Sequence, residues 1–278
     1  MARIHVLLAR AAPFALVFRR GPTKQVRQLR WDLRTDELTG GQWLMGRVYQ
    51  ERCALSADGR LLVYFAMRKG EPWTAVSRPG FFTPLAVWEE NGTWGGGGVF
   101  EHNHRLLLRT SPNALSLQDG FELPPGFELG RLTPEHRTLA SSGWTERALD
   151  PESGPTPSGA KRPRRFAYPI GRKACPTDPD CFLERHRVEV ADPNGPFTAF
   201  DYALCDADSA VVTPLGVLDW ADWDARGDLL SSEDGSLRRA TVSSGALASV
   251  EIVASIGDDV FERFPPTAEA KQWPPMRR

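Results

Sequence analysis

The sequence predicts an all-β fold built from many short antiparallel strands. Glycine (25 residues) and proline (23 residues) interrupt the 278-residue chain often, which favours short elements over long helices. The nine tryptophans suit pleated sheets, where aromatic side chains pack well. Strand–turn–strand segments also recur, and together these three observations predict a repeated β architecture.

The first recurring segment joins two strands through a polar turn that is followed by a charged residue and two leucines. It is read in Leu55–Ala66, Glu101–Thr110 and Ala221–Ser232. The turns of the first two copies lie about 45 residues apart, within the range of repeat periods seen in β architectures. A second recurring segment alternates through a strand, turns over polar residues and starts another strand, as in Gln25–Leu38 and Ser236–Leu247.

Residues 218–247 resemble a blade of a WD-repeat or related β-propeller. Gly227, Leu229-Leu230, Ser232 and Asp234-Gly235 match the turn and strand positions, and Trp31-Asp32 matches the pair that closes a third blade strand. The resemblance implies a single propeller-like domain over 1–278, with about five or six blades. Stacked blades cover faces that one sheet cannot bury alone, and strand Ile4–Ala9 is expected to pair with the last blade and close the ring. A β-sandwich is the alternative fold.

Residues 150–187 interrupt the repeats and are predicted to be an insertion within a blade. The stretch 150–164, rich in proline, glycine and charge, is expected to form a flexible surface loop. Asp178-Pro179 has the pattern of a helix start, so a short helix is expected at Pro179–Arg185.

Composition excludes some partners. The net charge of −1 implies no polyelectrolyte partner, and the apolar run Ala11–Phe18 is too short to span a bilayer. We therefore expect a cytoplasmic protein with no membrane contact and with free thiols. The basic loop of Lys161, Arg162, Arg164 and Arg165 offers phosphate contacts, but a solvated loop is the favoured interpretation and nucleic acid is not the expected partner.

The run Gly95–Gly98 is the segment that most resembles a nucleotide loop. No lysine follows Gly98, as a P-loop requires, and no glycine spacing fits the dinucleotide pattern. The favoured interpretation is a strand from which packing excludes side chains, and a backbone-lined ligand cleft is the alternative.

Two clusters have metal-like spacing. Asp222, Asp224, Asp228 and Glu233 fall on ligand positions of a calcium loop, but Arg226 occupies another ligand position, so no metal is expected. The second cluster is spaced too loosely for a typical zinc site and comprises Cys175, Cys181, His186 and Cys205. The sequence allows either a Cys175–Cys181 disulfide or unlinked thiols.

No catalytic motif is found, so the favoured function is a protein-interaction or scaffold module without a cofactor, with another protein as the expected partner. The alternative is an enzyme or small-ligand binder that uses a central funnel. Its candidate lining residues are Trp88, Trp94, His102 and His104, since alternation along a strand would place the two imidazoles on one face.

Overall fold

The computed structural model describes residues 2–21, 24–110, 116–136, 142–149, 154–162, 168–189 and 199–276, and the fold is all-β, as predicted. Strands make up 51% of the described residues. The described residues contain no α-helix, and their 3₁₀ helices are Gln50–Arg52, Pro134–His136 and Glu269–Lys271. None of these helices has the length and apolar character needed to cross a membrane.

The chain divides into two compact units. The first unit comprises residues 1–140 and 257–278, and the second comprises residues 141–256. Each unit contains its own sheets and its own apolar core. The single domain expected from the sequence stays a prediction.

The first unit contains three sheets, numbered in chain order. The first sheet is an antiparallel meander of β1 (Arg3–Leu8), β2 (Phe14–Arg20), β3 (Gln25–Asp32) and β4 (Glu37–Met45). The second has the order β5-β7-β8-β9, with β6 also paired to β7, and comprises β5 (Arg47–Val48), β6 (Ala54–Leu55), β7 (Leu62–Arg68), β8 (Glu71–Ser77) and β9 (Pro84–Glu89). The third comprises β10 (Gly98–His102), β11 (Arg105–Leu108) and β12 (Glu128–Arg131), and its β11–β12 pair is parallel.

Strand β7 is buried on both faces. Successive side chains of a strand point to opposite faces of its sheet. Tyr64 belongs to an apolar cluster with Phe18 of the first sheet. Val63, its neighbour, belongs to another cluster with Phe100 of the third sheet. The second sheet therefore packs against both other sheets of this unit, which explains the continuous apolar run along β7.

The second unit contains the fourth and fifth sheets, both antiparallel meanders in chain order. The fourth sheet comprises β13 (Thr145–Arg147), β14 (Ile170–Ala174), β15 (Phe182–Val188), β16 (Ala199–Cys205) and β17 (Val211–Leu218). The fifth comprises β18 (Trp220–Trp223), β19 (Leu229–Glu233), β20 (Ser236–Ser243) and β21 (Ala246–Ser255). The strand–turn–strand pattern predicted for 218–247 is confirmed by β18, β19 and β20.

The Trp31-Asp32 pair stands where the sequence predicts it. Strand β3 is the third strand of its sheet and ends at Asp32. The Trp31 side chain is buried, and its indole nitrogen donates a hydrogen bond to Asp36 Oδ1 at 3.0 Å. Membership of the WD-repeat family stays a prediction.

The N-terminal strand differs from the expectation that it would pair with the last blade. Strand β1 pairs with β2, with Arg3 opposite Arg20 and Leu8 opposite Ala15. The short connection between them, closed by the hydrogen bond from Ala9 N to Phe14 O, makes this local pairing inexpensive in loop entropy. The C-terminal segment, residues 257–276, belongs to the first unit together with the N-terminal part of the chain.

The segment expected to be a short helix at Pro179–Arg185 is instead a turn followed by β15. The amide of Cys181 donates to Asp178 O at 3.1 Å, and the amide of Asp180 donates to Asp178 Oδ1 at 3.1 Å. Asp178 thus closes a tight turn, a role that its side chain performs as readily as helix capping. Strand β15 then pairs with β14 and β16, and tertiary pairing overrides the helix signal.

Candidate functional site

The glycine run Gly95–Gly98 is packed against its surroundings at every position. A side chain on Gly96 would lie within 3.0 Å of the Phe65 ring, and one on Gly97 would lie within 3.0 Å of the Arg52 backbone. Both glycines have positive φ, +82° and +79°. Only Gly98 lies in a strand, at the start of β10.

The amides of this run already have protein acceptors. Gly96 N donates to Thr110 Oγ1 at 3.1 Å, and Gly97 N donates to Thr74 Oγ1 at 2.8 Å. Both hydroxyls donate in turn to the buried carboxylate of Glu90, at 2.9 and 2.6 Å. A phosphate-binding loop needs free amides. These two are used internally, which favours the structural interpretation of the run.

The four residues predicted to line a ligand funnel lie in different environments. Trp88 is 2% exposed within the core of the first unit, whereas Trp94 is 98% exposed. His102 ends β10 and is exposed, and His104 follows in the turn, half-buried, so the two do not share one regular strand. Their ligand-binding role stays a prediction.

The carboxylates with calcium-like spacing are paired with cations. Asp222 lies 2.6 Å from Lys173 Nζ, and Glu233 contacts Arg238. Asp224 accepts from Arg239 at 2.6 Å, and Asp228 accepts from the same guanidinium at 2.9 Å. Within the described ranges, no group of three or more His, Cys, Asp or Glu side chains has metal-binding geometry.

Hydrogen bonding controls the ionisation of Asp224. Burial alone would raise its pKa, but the hydrogen bonds from Arg239 and from the backbone amides of residues 228 and 226 lower the pKa below its ordinary value. The carboxylate is therefore ionised at neutral pH and serves as the anchor of the β18–β19 turn.

All four cysteines are free and buried. Burial raises the pKa of Cys181 to about 11 and the pKa of Cys53 and Cys205 to about 12. Nucleophiles and metal ligands need the thiolate, so at neutral pH these three thiols behave as small apolar groups. Cys175 and Cys181 face each other across a turn, where Cys175 N donates to Cys181 O at 2.8 Å, without being linked.

The described part of the basic loop is anchored rather than loose. Asp201 is fully buried, and its Oδ2 accepts hydrogen bonds from Thr156 Oγ1, from Ser158 N at 2.9 Å and from Ser158 Oγ at 2.7 Å. Lys161 is exposed, while the Arg162 guanidinium donates to His186 Nδ1 at 3.1 Å. Arg164 and Arg165 lie outside the described residues.

A buried polar cluster lies beneath this loop in the second unit. His186 and Asp201 are opposite each other on β15 and β16, and His186 Nε2 lies 3.3 Å from Glu184 Oε2. Arginine only donates, so His186 Nδ1 is the acceptor of the hydrogen bond from Arg162. Burial alone would raise the pKa of Glu184, but the hydrogen bond with His186 and the charge of Arg147 lower it. The cluster holds the loop on the sheet.

Two features that the sequence did not single out are open to solvent. The first is a cavity of about 250 Å³ in the first unit, with aromatic walls formed by Trp43, Phe82, Phe261 and Phe264. Its lining comes from β4 of the first sheet, from the β8–β9 connection of the second sheet and from the C-terminal segment, and Trp43 packs against Phe261 with ring centroids 5.9 Å apart.

The second feature is an apolar surface on the outer strands β17 and β21 of the second unit, here named the β17–β21 surface. Its exposed aliphatic side chains are Val211, Val212, Val217, Leu247, Val250 and Ile252. The two strands approach each other where Thr213 Oγ1 donates to Gly245 O at 2.9 Å. Both are edge strands among the described residues.

Comparison with known proteins assigns no family. No family model and no curated protein matches the chain. Among solved structures, the chain is similar to an uncharacterized protein from Listeria monocytogenes, at 6% identity and a TM-score of 0.27, over 90% of this chain and 66% of that one. It is also similar to a candidate 6-phosphogluconolactonase from Bacteroides fragilis, at 11% identity and a TM-score of 0.19, over 91% and 56% of the two chains. The chain thus spans less than two thirds of either protein, and neither similarity carries an argument about function.

Proposed function

We propose that this chain is a protein-interaction module with propeller-like blades, and that it binds its partner through the β17–β21 surface. Three sheets are meanders of four or five strands in chain order, which is the strand order of a blade. The observation that carries the proposal is the exposure of large aliphatic side chains on two edge strands of one unit. We take these side chains to form one apolar patch, and an exposed apolar patch is typical of an interaction site.

The occupant that fits best is an extended segment of another protein, added as a strand along β21. This strand has ten residues, from Ala246 to Ser255, and Glu251 is its only charged residue. Edge strands are usually protected by lysine, proline or a cover. Val250 is 53% exposed and Ile252 is 64% exposed, so an added strand would bury aliphatic surface and also pair with the open backbone edge.

The test uses a displayed library of short peptides selected on the intact protein. We expect the selected peptides to alternate apolar and polar residues, and binding to fall at least about tenfold in Val250→Lys and Ile252→Lys, because a buried unpaired charge costs more than 1.4 kcal/mol. The matched control is Val260→Lys, which changes an even more exposed valine of the first unit and is expected to leave binding unchanged.

Hydrogen exchange adds a direct measure of strand addition. Bound peptide should slow exchange of the outward-facing amides of β21 and leave β4 of the first unit unaffected. Peptides that bind all three variants equally, or that give no protection on β21, would refute the proposal. Self-association of the unmodified protein that Val250→Lys abolishes would also refute it, because the occupant would then be a second copy of the chain.

A further inference from the structure

The aromatic cavity of the first unit carries hydrogen-bond donors that the described residues leave unused. Gln42 Oε1 accepts from Phe82 N, Thr83 N and Thr83 Oγ1 at 2.8–3.1 Å, which fixes the amide plane. The side-chain nitrogen of Gln42, Nε2, has no hydrogen-bond partner among the described residues. The indole nitrogen of Trp43 also lacks an acceptor among the described residues, but it is buried and is not one of the donors exposed to a ligand.

The cavity also has an unpaired cation. Arg263 lines it, is exposed, and forms no ion pair with a described residue. The neighbouring arginines differ, since Arg27 lies 2.5 Å from Asp259 and Arg19 donates to the backbone of Gly257. Glu262 is the one acid of the lining, and its carboxylate is 73% exposed and 4.0 Å from Arg27.

From this donor set we infer that the cavity binds a small aromatic carboxylate. The ring would lie among the aromatic walls, where ring pairs add attraction beyond their buried area. The carboxylate would accept hydrogen bonds from the Gln42 amide and the Arg263 guanidinium, and hydrogen bonds between ionised groups are the stronger ones. The guanidinium cation would favour an anionic ligand over a neutral or cationic one of the same size.

The volume of this open cavity suits a ligand with a single ring. Its volume, about 250 Å³, is below the range of about 300–1,000 Å³ that accommodates drug-sized molecules. A ligand with one ring and one carboxylate has few atoms to contribute, so a dissociation constant of about 1 mM or slightly tighter is expected.

The experiment compares three probes that share one ring, namely phenylacetate, 2-phenylethanol and 2-phenylethylamine. Saturation-transfer NMR with a titration of each should rank phenylacetate first, by at least about fivefold over the neutral alcohol, as expected for one charge-assisted contact. The amine should bind more weakly than the alcohol. Equal affinities, preference for the amine or no binding by any probe would overturn the inference.

Two neighbouring charges give a test of opposite sign. Arg263→Gln should weaken phenylacetate binding by about two- to fivefold, and Glu262→Gln should strengthen it by a similar factor, because both groups are partly exposed. Neither change should alter binding of the alcohol. Variants that shift both probes alike would indicate a change in cavity shape and would contradict the assigned role of charge.

The wall is tested with a matched pair in the same segment. Phe261→Ala removes an aromatic wall that is already 53% exposed, so the fold should persist while affinity for phenylacetate falls by about fivefold. Val260→Ala, which changes a residue that does not line the cavity, should leave affinity unchanged. Equal effects of the two variants would place the probe outside the cavity and overturn the inference.

Discussion

Adding a methyl group to Gly96 or Gly97 tests whether the glycine run is scaffold. In Gly96→Ala the new β-carbon meets the Phe65 ring, which is fully buried and packs on Tyr49 with ring centroids 4.8 Å apart. In Gly97→Ala it meets the Arg52 carbonyl oxygen and lies 2.8 Å from Arg52 Cβ. A backbone group cannot rotate away as a side chain can. We therefore expect Gly97→Ala to be the more damaging change.

The magnitude follows from two additive costs. Forcing a methyl group into a packed site costs about 1–3 kcal/mol. An alanine held at positive φ adds roughly 1 kcal/mol. The free energy of unfolding should thus fall by about 2–4 kcal/mol in each variant, with Gly97→Ala at the upper end. For a chain of this size the melting temperature should fall by about 2–4 °C per kcal/mol.

Two other glycines of the chain separate these costs. Gly92 has φ +118° and no atom within 4 Å of an added β-carbon, so Gly92→Ala carries the conformational cost alone. Gly154 has neither a positive φ nor a close neighbour, so Gly154→Ala should leave the melting temperature unchanged. Thermal unfolding followed by circular dichroism measures all four variants.

The phosphate-cradle alternative predicts a different pattern in the same experiment. Under that alternative, melting temperatures without ligand would hardly change, and a nucleotide would stabilise the unmodified protein but not Gly96→Ala or Gly97→Ala. Melting temperatures of these two variants equal to that of Gly92→Ala would refute the packing argument.

Two further predictions concern buried carboxylates, with the exposed Asp180→Asn as their common control. Asp224→Asn should cost about 3 kcal/mol at pH 7, because it leaves the buried Arg239 with one carboxylate fewer. The folded-state pKa of Asp224 is lowered, so this stability difference should be complete at neutral pH and should shrink as acid protonates the carboxyl. Urea unfolding measures it, and a difference that does not shrink as the pH falls from 7 would contradict the prediction. Asp201→Asn should accelerate tryptic cleavage after Lys161 by about tenfold by weakening the loop anchor, and an unchanged rate would contradict it.

Local signals were sufficient where neighbouring strands pair with each other. The Asp234-Gly235 turn and the alternation around it predict β19 and β20 from a few residues, and the structure has both strands. Pairing between neighbouring strands also explains why β1 does not pair with the last sheet as expected. A short connection joins β1 to β2, and the two strands form a hairpin. Asp178 shows the limit of such signals, because an aspartate can either close a turn or cap a helix. Here the residues after it form β15 and pair with β14, so Asp178 closes a turn.

The aromatic cavity had no comparable local signal. Trp43 stands on β4, and Phe261 stands more than two hundred residues later in an irregular segment, so no spacing or periodicity connects them. What brings them together is a set of long-range contacts, including the ion pair between Arg27 and Asp259. One feature of the sequence could have indicated the site, namely the closely spaced phenylalanines Phe261 and Phe264 in this segment. Aromatic residues in a proline-rich, otherwise polar terminal segment need a surface to pack on, and that requirement is the physical reason to search the folded sheets for their partner.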